Sequence, residues 1–539
     1  MPKRKTTFKT FWPASPNIKL KFLAKIVPCG TLAAALLATG YARADAPSLN
    51  DVLRAHLHAL TALGVKRPHT IVSSGTLDGL GLKGTFTSWR DGDRERDDEV
   101  IGIRSQRTLR LGDVEYVQNA NGDVRTLRGI MERRQITDDF IDSGDFARHP
   151  ESDVFEGAAI LRDGRKVWRV RVSPPGGETY DVALDADTAM IDRTAYVDGD
   201  AVVTTTFDDY RLVGGALVPY SEVDSSGDTA FDITSHVSRV DVDKPIDSSV
   251  FEPFAATVID ADGPMTVPLL YDRGHLFVRA TAGATPLVFL IDTGSQGVFL
   301  DPDAARRLGL KTEGTLEIRG ARRTSGLGVA ALDAIDIGHA RLPLHVVSVV
   351  DLHAVVYHAA TVDGVLGYPF FAAAEVRIDP DRLTMTIGKP GTLRPQGTEI
   401  TVDTDRELPE TATTINGVPG RFLLDTGNSN ELLVFHAFAR DHPSAVFYAG
   451  SHYAQNSGVG GGSAAVRAMV NEIDLGPYKM YNRYTDVMLA DNGAFADRNE
   501  AGNIGLGTLK NFVFTFDLSH RALFLDPTRS FDNGRGRSP

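Results

Sequence analysis

Cysteine is almost absent: the 539 residues hold one, Cys29. A single thiol excludes an internal disulfide, so stability must come from packed cores. No G-x-S-x-G elbow marks a serine nucleophile. His353 and His358 stand five apart, not at the i, i+4 spacing of a zinc-binding helix, and no Glu follows His353. Gly79-Leu80-Gly81-Leu82-Lys83-Gly84 spells G-x-G-x-x-G, but Thr85 to Trp89 after it alternates like a strand. Without a helix N-terminus it offers no pyrophosphate site and reads as a hairpin turn. No cofactor and no metal site is therefore expected. Positive charge is also short, with 57 Lys and Arg against 70 Asp and Glu, for a net charge of −13. The runs Arg94-Glu95-Arg96-Asp97-Asp98-Glu99 and Arg322-Arg323 read as solvated charges.

Long hydrophobic runs are missing beyond one stretch near Val27 to Thr39. Lys3, Arg4, Lys5, Lys9, Lys19, Lys21 and Lys25 precede it, and Ala42-Arg43-Ala44 follows as a small-x-small cleavage site. Residues 1–44 thus read as a signal peptide, which makes the expected location exported, periplasmic or secreted. The alternative is an uncleaved single-span anchor, for which the stretch is short. Cys29 leaves with the segment, and so do its eight Lys and Arg, which takes the net charge from −13 to −21. Such an acidic chain argues against nucleic acid and against anionic membrane surfaces, and with no other run long and apolar enough to span a bilayer no stable membrane insertion is expected after cleavage.

What is abundant is alternation broken by turns. Ser48 can cap a helix to about Leu63, with Leu49, Val52, Leu53, Leu57 and Leu60 on one face and Gly64 at its end. Short alternating runs then extend to about Val242, as in Val167–Val172 and Thr179–Leu184, split by turns such as Asn121-Gly122-Asp123. This predicts one curved antiparallel sheet over 45–253. Leu184-Asp185-Ala186-Asp187-Thr188, Phe207-Asp208-Asp209-Tyr210-Arg211 and Gly214-Gly215-Ala216-Leu217-Val218-Pro219 resemble the periplasmic lipoprotein-carrier (LolA/LolB-like) fold, an open half-barrel with a helix inside. That resemblance implies a binding or docking module without chemistry.

The second half repeats itself. Val288-Phe289-Leu290-Ile291-Asp292-Thr293-Gly294-Ser295 is answered by Arg421-Phe422-Leu423-Leu424-Asp425-Thr426-Gly427-Asn428. Gly364-Val365-Leu366-Gly367 is answered by Gly502-Asn503-Ile504-Gly505. The aspartates are offset by 133 and the glycine motifs by 138, so one unit is duplicated. After a 254–268 linker, lobe one spans 269–390 and lobe two 399–526, with a C-terminal tail over 527–539. Each copy carries a carboxylate out of an apolar strand to a glycine turn. Two such carboxylates face to face can share one proton and activate one water.

These motifs resemble aspartic proteases of the retropepsin and pepsin clan, closest to bacterial retropepsin-like domains. The fold class that follows is mainly β: a half-barrel with a helix, then two retropepsin-like β-barrel lobes in a pseudo-two-fold pair. The resemblance implies that Asp292 and Asp425 are the catalytic pair and that Gly294 and Gly427 permit the tight loops. It implies that Thr293 and Thr426 cross-link the loops, with Leu366 and Ile504 forming the apolar wall behind them. It further implies a peptide or protein substrate, no cofactor, and sufficiency of a monomer, since one chain supplies both aspartates. The glycine-rich stretches Gly320 to Gly328 and Ser457 to Ser463 are flap candidates. Asn428 departs from the usual Ser, Thr or Ala. Ser295 is expected to donate a hydroxyl to Asp292, and Asn428 an amide to Asp425. The competing reading is an exported, non-catalytic binding protein, with an apolar or lipoprotein ligand in the sheet domain and degenerate lobes as scaffold.

Overall fold

The computed structural model describes residues 47–161, 164–199, 201–319, 324–352, 362–458, 461–490 and 493–534. The expected signal peptide with Cys29, the pair Arg322 and Arg323, and His353 and His358 lie outside the described residues. The chain is mainly β. Among the described residues no helix is long and apolar enough to cross a membrane.

Ser48 opens the first helix, Leu49–Ala62, through a capping box with Asp51. Each side chain satisfies a backbone N–H that the first turn leaves without a partner. Thirteen antiparallel strands then form a single sheet. It consists of two meanders joined where the first strand, Thr70–Gly79, pairs with the last, Ile233–Val242. The Gly79–Gly84 stretch is the hairpin turn expected of it, with Leu80 at φ 59°. A second helix, Gly129–Asp142, escapes the sequence pattern because its buried positions include Arg134, Gln135, Thr137 and Asp138 beside Met131 and Ile141. Val52, Leu53, Ile141, Phe146, Tyr180, Val182 and Leu184 form the core between these helices and the sheet.

The charge run at 94–99 is not simply solvated. It lies in strand Arg94–Ile101, where Asp97 is buried, Arg96 pairs with Asp98 at 2.6 Å, and the Arg94 guanidinium stacks 4.7 Å from the Phe251 ring centroid.

Residues 259–268 lie along lobe one instead of bridging freely. Ile259 is buried and donates to the Ala373 carbonyl at 2.9 Å, and Asp260 bridges to Arg341. Strand Met265–Asp272 starts within the expected linker because Met265, Val267 and Leu269 alternate onto the lobe core.

The two lobes meet in a shared sheet. Its order is Met265–Asp272, Thr384–Gly388, Glu375–Asp379, then Phe512–Asp517, Ala522–Pro527 and Thr398–Thr401, three strands from each copy. At the join Val376 faces Phe516, Arg377 faces Thr515 and Ile378 faces Phe514. With the repeat offset of 138, Arg377 and Thr515 are equivalent residues, so a strand crosses its own copy antiparallel and marks the pseudo-two-fold axis. The described part of the tail, 527–534, is packed too: Phe531 lies 5.3 Å from the Phe512 ring, and the Asn533 carbonyl accepts Tyr481 N–H at 2.6 Å.

One apolar cluster crosses from the N-terminal sheet into lobe one. Leu77, Leu80, Leu82 and Phe86 pack with Phe277, Leu290, Leu316, Leu327 and Val365. The first domain is therefore seated on the duplicated half by the same burial that builds a core.

Candidate active site

Strands Thr285–Ile291 and Val418–Asp425 deliver the two Asp-Thr-Gly loops. Each lies parallel to its short glycine-flanked partner, Leu290 opposite Val365 and Leu423 opposite Asn503. Leu366 and Ile504 are fully buried behind the loops. Gly367 and Gly505 leave room for the loop backbones: an added Cβ would stand 2.4 Å from the Ser295 carbonyl oxygen and 2.7 Å from that of Asn428. The next residues fasten the loops, Tyr368 N–H to Ser295 O and Leu506 N–H to Asn428 O, each at 2.7 Å.

The threonines cross-link the copies. Thr293 Oγ1 donates to the Leu424 carbonyl at 2.6 Å, and Thr426 Oγ1 donates to the Ile291 carbonyl at 3.0 Å. Each hydroxyl also accepts the other threonine's backbone N–H at 3.0 Å. Leu424 and Ile291 are equivalent under the 133 offset, so the grip is two-fold symmetric. It brings the aspartates together. Asp292 and Asp425 are both buried, and a Cβ on Gly427 would lie 2.3 Å from Asp292 Oδ1. Only glycine lets that carboxylate rest against the opposite loop.

Backbone donors serve both carboxylates: Gly294 N–H reaches Asp292 Oδ1 at 2.9 Å, and Asn428 N–H reaches Asp425 Oδ1 at 3.0 Å. The side chains that follow differ from expectation. Ser295 Oγ donates to the Gly297 carbonyl at 3.4 Å, not to Asp292. The Asn428 amide reaches past Asp425 to Asn503 Oδ1 at 2.6 Å, because the longer side chain overshoots. Asn503 Nδ2 then donates to Asp425 Oδ2 at 2.7 Å. The sequence signal for Asn503 was a polar residue between two glycines where the other copy has Val365.

A second residue missed in the sequence is His275, at the head of strand His275–Ala282. It is buried, and burial holds its imidazole down at about 4, against a raising contact with the Gly427 backbone. Beyond it, Gln296 Nε2 donates to the Arg406 carbonyl, and the buried Arg406 guanidinium pairs with Asp497 and Glu500.

The turn at Asn119–Asp123 enters from the N-terminal sheet. Arg125 reaches Glu407 at 2.8 Å and the Asp405 carbonyl at 3.2 Å, while Asn121 hydrogen-bonds the backbone of Val346 at 3.0 Å. Burial raises Asp123 to about 6, which Arg125 opposes, and raises Asp405 to about 7, with Asp403 and Glu410 adding to it. The flap candidates are hairpins, Glu313–Arg319 with Thr324–Ala331 and Phe447–Gly458 with Gly461–Leu475. Residues 320–323 and 459–460 of these stretches lie outside the described residues. Among the described residues no group of three or more His, Cys, Asp or Glu is placed to hold a metal ion.

Residues 278–370 match the model of a family described as aspartyl protease, a span that holds Asp292 but not Asp425. Among solved structures the chain is similar to an aspartic proteinase from Irpex lacteus, at 14% identity and TM-score 0.32, over 50% of this chain and 98% of that one. It is similar to a retropepsin-like aspartic protease from Rickettsia conorii, at 19% identity and TM-score 0.18, over 24% and 92%. It is also similar to a Vibrio parahaemolyticus domain provisionally described as an outer membrane lipoprotein-sorting protein domain, at 11% identity and TM-score 0.26, over 37% and 95%. A search of curated proteins finds no match. The family-model match shows an aspartyl-protease-like domain within the chain.

Proposed function

We propose that this protein is an exported aspartic endopeptidase in which one chain supplies both carboxylates. The observation that carries the reading is the reciprocal grip of Thr293 and Thr426, which sets Asp292 and Asp425 on facing, buried loops. Two carboxylates so placed cannot both ionise cheaply, so the pair keeps one proton. The ionised member takes a proton from a water, and the neutral member gives its own to the scissile carbonyl. The N-terminal layout of cations, apolar stretch and Ala42-Arg43-Ala44 supports export.

A second reading is favoured by a cavity of about 300 Å³ between the first helix and the N-terminal sheet, lined by Leu60, Ile71, Ile141 and Ile191 with Arg90 and Arg148. On that reading the chain binds a ligand and the lobes are scaffold. Cleavage of an unstructured peptide at mildly acid pH, with and without a statine-type transition-state mimic, separates the two. Asp292→Asn and Asp425→Asn are each expected to lower hydrolysis by about 10²–10⁴-fold while circular dichroism stays native. Retention of most activity by either variant would refute the shared pair.

A further inference from the structure

The two lobes are copies, yet their carboxylates are not served alike. Val365 and Asn503 are equivalent: each follows the first glycine of its motif, and each lies beside the strand that carries the aspartate, opposite Leu290 and Leu423. Lobe one puts an aliphatic side chain there. Lobe two puts a buried amide, and the amide ends on Asp425 Oδ2 at 2.7 Å.

The direction of that amide is set by its neighbours. Asn430 backbone N–H can only donate, and it meets Asn428 Oδ1 at 3.0 Å. The Asn428 Nδ2 group is thereby turned toward Asn503 Oδ1, at 2.6 Å. Asn503 is left with its Nδ2 group facing the carboxylate. Three donors in series point the same way, from backbone to Asn428 to Asn503 to Asp425. Asp425 then meets an N–H at both oxygens, from Asn503 at Oδ2 and from the Asn428 backbone at Oδ1. A proton on either oxygen would confront a donor, whereas the ionised carboxylate accepts both bonds.

We propose that Asn503 is a positioning residue that holds Asp425 as the ionised member of the pair and leaves the shared proton on Asp292. The catalytic half of this inference rests on the peptidase reading. In that half the water oxygen bonds to the scissile carbonyl carbon, its proton passes to Asp425, and the Asp292 proton passes to the carbonyl oxygen. On collapse the C–N bond breaks, the proton on Asp425 goes to the leaving nitrogen, and one hydroxyl proton of the diol returns to Asp292. Among the described residues the charged or titratable groups facing the loop include Asp292 and His275, with the pairs Arg483–Glu431 and Arg467–Asp486 beyond Asn430.

The test is a site-resolved ¹³C-carboxyl titration of Asp292 and Asp425 in the full chain, which needs no turnover. In the wild type Asp425 is expected to ionise first; Asp292 ionising first overturns the proposal, whatever the variants do. In Asn503→Val, which copies lobe one, the first ionisation is expected to move up by about one pH unit. Asn428→Ala, which removes the brace on Asn503, should move it less and in the same direction. An unmoved titration in folded Asn503→Val also overturns it, and if that variant does not fold the wild-type order decides. The acid limb of kcat/KM should follow the titration. If no peptide is cleaved while the titration behaves as stated, the peptidase reading falls and the hold of Asn503 on Asp425 stands.

Discussion

Thr293 holds two buried backbone groups of the opposite lobe, giving its hydroxyl proton to Leu424 O and accepting from Thr426 N–H. Valine has the same shape without the hydroxyl. Thr293→Val would strand both groups at about 1–3 kcal/mol each, because neither reaches water. We expect urea denaturation to show a loss of roughly 2–6 kcal/mol for Thr293→Val, and about 1 kcal/mol or less for Thr293→Ser. Equal stability of both variants would show that the grip contributes shape alone. The same scale explains Asn428. An amide in place of a hydroxyl was legible as a departure, but its consequence depended on which atom lay one bond further on. That atom belongs to Asn503, 75 residues away.

At the scale of elements, two turns do more than reverse the chain. The Leu80 turn docks on the hairpin of Glu313–Arg319 with Thr324–Ala331: Leu80 O accepts Thr315 N–H at 2.8 Å, and the Leu80 side chain is buried with Leu316. Leu80→Ala is expected to cost about 2–5 kcal/mol, as for other buried leucines, and to speed limited proteolysis within 313–331. Unchanged proteolysis would mean that the hairpin is held by its own lobe. The Asn119–Asp123 turn was visible in the sequence as Asn-Gly-Asp. Its docking between the lobes was not, since turn residues announce a bend and not what the bend will touch.

For the molecule as a whole, the domain seat carries titratable groups. Folded Asp123 and Asp405 lie at about 6 and about 7, above the ordinary carboxylate range, so the fold keeps protons that the unfolded chain releases. Stability from this source is present in acid and is lost as pH rises from about 4 to 7. Asp405→Asn is expected to flatten that decline, by an amount on the order of 2 kcal/mol between pH 5 and 7, read from melts at both values. His275 acts in the opposite sense. Its folded value of about 4 means that the unfolded chain gains protons first as pH falls below 6.5, so its contribution weakens in acid. A slope unchanged by Asp405→Asn would place the pH dependence elsewhere. The intramolecular grip also predicts that the active species has the mass of one chain in solution, checked by light scattering on an active fraction.

The β class, the duplication and the two aspartates are legible from residue order alone. Those follow from local periodicity and from a motif written twice, and neither needs a partner far along the chain. The helix at Leu49–Ala62 was legible for the same reason, with its cap and apolar stripe in one window. Folding in three dimensions was needed to show that the N-terminal sheet shares an apolar cluster with lobe one, that Arg125 meets Glu407, that His275 lies at the Gly427 loop, and that Asn503 completes the donor chain onto Asp425. Each of these contacts joins residues distant in sequence whose types are individually unremarked. A buried hydrogen bond is specified by where two side chains end, and that is set by the packing of the whole chain.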